Sequence, residues 1–454
     1  MTMKKMKHDV PTRLVKVLNL ILMMVAFGFV WYGYYAARAQ VHYYRRGDWV
    51  VILLFGILYY GFCRSYDAFH ISISPISEII YSQTLALIIS DFIMYVVIWL
   101  LSLYMPNAVP LLITFVVQFL ISVLWTFLAH QWYFHNFQPG RTAVIYDLRE
   151  GMESLVGEYG MEKKFHIEKV LGVEECLAKL SVLDEMDTVF LSGIHSHERN
   201  IILKYCMYQD IQVYVIPRIG DVIMGGAKKV HMFHLPMLRI DRYRPIPEYT
   251  IAKRAFDILF SGIAIVIASP FMLVTAIAIK SDGGPALYKQ KRLTKDGKEF
   301  NVLKFRSMRV DAEKDGVARL STGDKDDRIT PVGKVIRKIR FDELPQLFNI
   351  LRGDMSIVGP RPERPEIARQ YEEEMPEFRL RLQAKAGLTG YAQVYGKYNT
   401  TPYDKLLMDL TYIGTPSLWE DFKICLATVK ILFMPESTEG VAEGATTAMG
   451  EEKH

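Results

Sequence analysis

Cysteine is scarce in this 454-residue sequence. Cys63, Cys176, Cys206 and Cys425 are far apart and share no metal-ligand spacing. That pattern excludes a disulfide scaffold and a cysteine-built metal site, and reduced structural thiols are expected. Net charge is also small, +5 at neutral pH, so the balance implies no nucleic-acid partner. Histidine is sparse. His195 with His197, and His231 with His234, lack matching Cys or acid partners, so they read as surface or core residues. Glycine is missing where a nucleotide-binding fold would need it. The segment YDLREGME, after the first strand of an α/β region, has a single glycine, which argues against phosphate cradling there. No cleavable signal peptide is expected, because further apolar segments follow the first one.

What the chain has in abundance is apolar and aromatic side chains, 51% and 12%, a proportion that suits a protein partly in a membrane. Four segments read as spans: Asn19 to Ala36, Trp49 to Cys63, Tyr81 to Tyr104 and Leu111 to Ala129. Lys4, Lys5, Lys7, Arg13 and Lys16 favour a cytoplasmic N-terminus, and four spans return the chain to that side. Arg38, Arg45 and Arg46 in the first outer loop pull against this orientation. Tyr43, Tyr44, Trp49, Trp125 and Trp132 fit an interfacial belt.

After Arg141 short strands and helices alternate. Ala143 to Tyr146, His166 to Leu171, Thr188 to Leu191 and Gln212 to Ile216 read as buried strands. Glu150 to Tyr159, Glu174 to Leu183 and Ser196 to Met207 have helical spacing between them. The alternation predicts a small parallel sheet with helices on both faces, a Rossmann-like domain with a regulatory or assembly role. Val230 to Arg244 reads as a strand or hairpin. The resulting layout is a four-span region (1–135), a cytosolic α/β domain (140–228), a linking hairpin (229–248), a mixed α/β unit (249–434) and a disordered tail (435–454).

The run Ala255 to Ile279 is long enough to cross a bilayer, yet Ser269 and Pro270 sit in its middle. Basic residues flank it on both sides: Arg242, Arg244, Lys253 and Arg254 before, then Lys280, Lys289, Lys291 and Arg292. A kinked, re-entrant helix over 253–280 keeps both flanks in the cytoplasm. An ordinary Pro-containing fifth span would place the downstream chain outside.

Next come strands at Ala286 to Arg292 and Glu299 to Met308, which put Lys304 and Arg306 on one face by period two. Asp311 to Asp326 is a charged loop. Thr330 to Arg340 sets Lys334, Arg337, Lys338 and Arg340 just before the adjacent acids Asp342 and Glu343. An apolar helical run, a tight turn and Arg361 between Pro360 and Pro362 come after them. Paired acids can divide labour, one attacking phosphorus and the other holding a divalent metal. An arginine between two prolines suits an ordered fork for phosphate. Taken alone, the two acids also suit the first turn of a helix. Further on, Ala386 to Gly396 is compatible with a strand lining a site, Asp404 to Tyr412 is helical, and Ser417 to Phe433 is an amphipathic helix.

Together KRAFD, the Ser-Pro pair, KFRSM, DDRITPVGKVIR, FDELPQLFNILRGDMSIVGPRPE and GLTGYAQVYG resemble the bacterial sugar transferases that act as monotopic polyprenyl-phosphate phosphoglycosyl transferases. The resemblance covers about Tyr249 to Phe433; with the upstream spans and α/β domain, the chain is similar to their large branch. It implies a membrane helical bundle, a Rossmann-like domain and a monotopic catalytic domain with a re-entrant helix broken at Ser269 and Pro270. It implies Asp342 as nucleophile on the β-phosphate of a UDP-sugar, with UMP released, and Glu343 with Asp342 holding Mg²⁺. Arg292, Lys304, Arg306, Arg337 and Arg361 are the implied phosphate-binding cations. Undecaprenyl phosphate is the implied acceptor, and capsule, exopolysaccharide or O-antigen assembly the context. A homodimer at the bacterial inner membrane, with its catalytic domain facing the cytoplasm, is also implied. Tyr391 and Tyr395 depart from the Trp and Asn more frequent in that family, which touches sugar or nucleotide preference. Direct glycosyl transfer releasing UDP and a non-enzymatic membrane scaffold are the other readings.

Overall fold

The computed structural model describes residues 3–38, 46–102, 104–149, 151–281, 283–310, 328–396 and 400–432. Asp311 to Asp326 and the tail 435–454 lie outside these residues. The chain divides into two compact units, 1–216 and 217–454.

The first unit opens with four apolar helices: α1 (Met3–Val30), α2 (Arg46–Ser65), α3 (Ile76–Leu101) and α4 (Val109–Asn136). A π-helical turn, Trp31–Tyr35, extends α1. Stretches at 10–38, 47–65, 76–101 and 109–136 are each long and apolar enough to cross a membrane. Phe27, Phe55 and Tyr59 stack in their shared core. The buried Gln83 amide links α1, α3 and α4 by accepting from Asn19 and from Ser122 Oγ at 2.6 Å.

Strand β1 (Gly140–Tyr146) then starts an α/β region with α5 (Met152–Glu158), β2 (Phe165–Gly172), α6 (Val173–Ala178), β3 (Thr188–Ser192), α7 (Ser196–Tyr208) and β4 (Gln212–Val215). All pairings are parallel, in the order β2-β1-β3-β4. Alternation sends Ala143, Ile145, Val189 and Leu191 to one face, against Cys176 of α6 and Ile202 and Cys206 of α7. Val144 and Phe190 meet Val156 of α5 on the other. The helix expected over Glu174 to Leu183 is split. Lys179 leaves helical geometry, and Leu180–Leu183 forms a separate 3₁₀ turn.

The second unit begins with α8 (Ile219–Gly225) and the hairpin β5 (Lys228–Met232) and β6 (Leu235–Arg239). Helix α9 (Pro247–Lys280) comes next, a fifth stretch long and apolar enough to cross a membrane. It runs unbroken past Ser269 and Pro270, where the sequence suggests a break. Pro270 cannot donate to the Val266 carbonyl four residues back, and Ser269 Oγ donates to that carbonyl instead, at 2.8 Å. The remaining elements are the antiparallel pair β7 (Leu287–Leu293) and β8 (Glu299–Phe305), α10 (Pro331–Lys338), α11 (Gln346–Arg352), β9 (Ser356–Val358), α12 (Pro365–Glu374), β10 (Gly387–Thr389), α13 (Tyr391–Tyr395), α14 (Pro402–Gly414) and α15 (Leu418–Leu432). Of the expected Ala386 to Gly396 strand, Gly387–Thr389 forms one, pairing in parallel with β9. Beyond Gly390 the chain turns into α13, with Gln393 Nε2 donating to the Leu388 carbonyl at 2.8 Å.

Three residues at the start of α9 fasten it to this unit. Lys253 Nζ reaches buried Asp421 of α15 at 2.9 Å. The Arg254 guanidinium donates to the carbonyls of Ile350 and Leu351, at 2.6 and 2.7 Å, capping the open end of α11. One Asp257 carboxylate oxygen accepts from Ser356 Oγ at 3.0 Å and from the Ile357 amide at 2.9 Å, fixing β9. Further along α9, Met272, Ala276 and Ile279 pack with Phe305, Ile336 and Phe341. The apolar helix thus abuts the turn that carries the paired acids.

Candidate active site

Asp342 and Glu343 lie in a 3₁₀ turn, Phe341–Glu343, rather than in the first turn of an α-helix. Thr330 Oγ1 caps α10 by accepting from the Gly333 amide at 3.0 Å, and α10 ends two residues before Arg340. Arg340 is left-handed, with φ 55°, an unfavourable conformation for a long side chain that reverses the chain into the acidic turn. On the far side α11 closes with Gly353 at φ 94°, its amide and that of Asp354 both donating to the Asn349 carbonyl.

Glu343 is the electrostatic centre. Its Oε1 accepts from Lys304 Nζ and from Arg361 Nη2, each at 3.0 Å, and only 15% of the side chain is exposed. Burial alone would raise its pKa. Lys304 and Arg361 outweigh that and hold the carboxyl below its ordinary value. Asp342 moves the other way. Burial raises it, Lys304 draws it back, and the charge of Glu343 adds to the rise. Two adjacent acids therefore hold divergent proton affinities, one fixed as an anion and one made more basic.

Each cation is set by its own element. Lys304 is on β8, and β8 is pinned by buried Asn349 of α11. Asn349 Oδ1 accepts from the Leu303 amide at 2.9 Å, and Nδ2 donates to the Asn301 carbonyl at 2.8 Å. Sequence reasoning misses Asn349, for which a polar residue inside the run LFNIL is the available signal. Arg361 comes after β9 on a loop whose approach to β10 leaves no room for a side chain. A Cβ on Gly359 would meet the Lys385 carbonyl oxygen at 2.3 Å, and one on Gly390 would meet the Gly359 oxygen at 2.1 Å. Backbone-to-backbone contact explains why these motifs carry glycine.

The structure brings Asp342, Glu343, Lys304 and Arg361 together. Arg337, in the last turn of α10, lies close enough to lower the Asp342 pKa. Arg292 stands one step away, donating to the Pro362 carbonyl at 3.0 Å and to Gln290, and burial pushes its pKa down to about 10. Arg306 is directed elsewhere. Beyond the end of β8 its buried guanidinium donates to the carbonyls of Ile279 and Pro285, at 3.1 and 2.9 Å, securing the chain leaving α9. Ser269 and Pro270 are exposed on α9.

Among the described residues no cluster of three or more His, Cys, Asp or Glu could hold a metal. Two adjacent carboxylates, one with an oxygen outside the Lys304–Arg361 pair, nevertheless fit Mg²⁺. That ion commonly takes one or two protein carboxylates and completes its shell with water and substrate phosphates.

A family profile described as "Bacterial sugar transferase" matches residues 248–435. The chain is 40% identical over 234 residues to the UDP-N-acetylgalactosamine-undecaprenyl-phosphate N-acetylgalactosaminephosphotransferase of Aeromonas hydrophila, covering 51% of this chain and 54% of that one. It is 40% identical over 201 residues to the UDP-glucose:undecaprenyl-phosphate glucose-1-phosphate transferase of Caulobacter vibrioides, 42% of this chain and 74% of that one. It is 41% identical over 197 residues to the galactosyl transferase CpsE of Streptococcus agalactiae, 41% of this chain and 43% of that one. Two of these three matches thus span about half of the relative's length.

Proposed function

The chain belongs to the bacterial sugar transferase family, and from that premise we propose that it moves a sugar 1-phosphate from a UDP-sugar to undecaprenyl phosphate. The observation that carries this reading is the division of labour in the acidic turn. Glu343 is held anionic by Lys304 and Arg361, while Asp342 is made more basic. A more basic carboxylate is the better nucleophile.

An ionised Asp342 oxygen attacks the phosphorus that bears the sugar. The bond to UMP breaks, and UMP leaves with the electron pair. Undecaprenyl phosphate then attacks the same phosphorus, and the Asp342 carboxylate departs unchanged. No proton is required in either half. Arg361 and Lys304 supply fixed positive charge where the oxygens of the transferred phosphoryl group gather negative charge. Mg²⁺, held by Glu343 and Asp342, would offset charge on the diphosphate. Helix α9, shallow in the cytoplasmic leaflet, would bring a lipid phosphate to the same height as a soluble nucleotide, and its basic flanks support that orientation. The first membrane step of capsule, exopolysaccharide or O-antigen synthesis fits this reaction.

Nucleotide release by detergent-held protein, with UDP-sugar, undecaprenyl phosphate and Mg²⁺, tests the reading. UMP is the expected product; UDP would mean direct glycosyl transfer, and no turnover across a sugar panel would favour a scaffold. Activity requires ionised Asp342, so kcat/KM falls on the acid side at a pH above the ordinary aspartate range. Lys304→Met moves that acid limb to higher pH, because Lys304 favours the ionised form. Glu343→Gln moves it to lower pH, because a neighbouring negative charge is removed.

A further inference from the structure

The loop that carries Arg361 is held at four successive carbonyls, Pro360 to Glu363. Pro360 accepts from the Gly387 amide at 2.9 Å, Arg361 from Arg381 Nη2 at 2.8 Å, Pro362 from Arg292 Nη1 at 3.0 Å, and Glu363 from the Leu293 amide at 3.0 Å. The two prolines cannot donate, so the carbonyls are their backbone handles. Two of these donors are backbone amides and two are guanidinium groups, and the guanidinium that holds Arg361 itself is the more deeply buried of the two. It belongs to the 3₁₀ stretch Pro376–Gln383.

Arg381 is 4% exposed and cannot serve substrate directly. Its Nε donates to Asp409 Oδ2 at 2.8 Å, its Nη2 lies 2.7 Å from the same oxygen, and its Nη1 stands 3.6 Å from Glu363. Asp409, on α14, is 1% exposed. The planar fork therefore spends one edge on Asp409 and uses Nη2 a second time on the backbone of Arg361. A lysine has no such fork and could not hold both acceptors in one plane. A buried ion pair is in itself weak evidence for stability. Here its geometry fixes the residue whose side chain reaches Glu343.

We propose that Arg381 and Asp409 are positioning residues that lock the backbone of Arg361 so that its guanidinium meets Glu343 and the transferred phosphate. The reference to phosphate rests on the proposed phosphosugar transfer; the locking of Arg361 does not. Arg381→Lys keeps the charge and loses the fork. Asp409→Asn keeps the shape and loses the charge that orients the fork, and it serves where the first variant folds poorly.

The test is site-resolved modification of the full-length, detergent-held protein by phenylglyoxal, with peptide mass spectrometry as the readout. Arg361 is partly exposed, and Arg254, clamped on α11, reports general loosening. In either variant Arg361 is expected to react about threefold faster or more, with Arg254 unchanged, as a locally released loop would. An unchanged Arg361 rate, or a parallel rise at Arg254, would overturn the proposal. UMP release by the same samples is read separately. Its absence from the wild-type protein would remove the proposed function and leave the modification result standing.

Discussion

Asp342→Asn lowers UMP release by about four orders of magnitude or more, the scale on which enzymes lose activity with their nucleophile. The substitution is nearly isosteric, and it leaves the Lys304 and Arg361 pairs to Glu343 in place to hold the turn. An amide oxygen lacks the charge that attack on phosphorus requires. The loss should appear in kcat, with KM for the UDP-sugar changed little, because Lys304, Arg361 and Glu343 remain to bind the diphosphate. Unfolding would look different, since it would lower the thermal midpoint and remove nucleotide binding with activity. A variant that retained more than a few per cent of wild-type turnover would exclude Asp342 as nucleophile.

The second large effect concerns stability. Lys253→Met leaves Asp421 buried without its cation, which costs about 3–5 kcal/mol when one member of a buried pair is removed. Tyr249 and Tyr412 hydroxyls, donating to Asp421 at 2.9 and 2.8 Å, keep the cost toward the lower end. Differential scanning fluorimetry in detergent should show the second unit melting about 10 °C lower, the scale for a unit of this size. Adding Asp421→Asn removes the stranded charge and restores most of the loss. If the single variant melts with the wild type, Lys253 is only a membrane-flanking charge and does not fasten α9.

Lys253 also shows what the sequence could and could not convey. Placed before a long apolar run, it and Arg254 read as topology signals. The structure uses them as fasteners to α15 and α11, partners more than 90 residues away that no local pattern reveals. Lys304 and Arg306 read as neighbours on one strand face, yet the strand ends at Phe305 and only Lys304 reaches the acids. Arg306 serves the carbonyls of Ile279 and Pro285. The parallel sheet is legible because its strands are short, apolar and bounded by helical spacing. Arg381 and Asp409 are not, because a buried pair between a 3₁₀ stretch and α14 leaves no periodic trace. Arg340 reads only as one of several bases, and its left-handed backbone has no signature in a residue of that type.

The most direct test of the central claim is covalent. Incubating the protein with a UDP-sugar, without undecaprenyl phosphate, and mapping acid-quenched peptides by mass spectrometry asks where the phosphosugar goes. The account predicts a sugar-phosphate adduct on the peptide containing Asp342, formed with stoichiometric UMP and discharged on adding undecaprenyl phosphate. An unmodified Asp342 peptide, with UMP formed only when acceptor is present, would contradict it and point to transfer without a protein-bound intermediate.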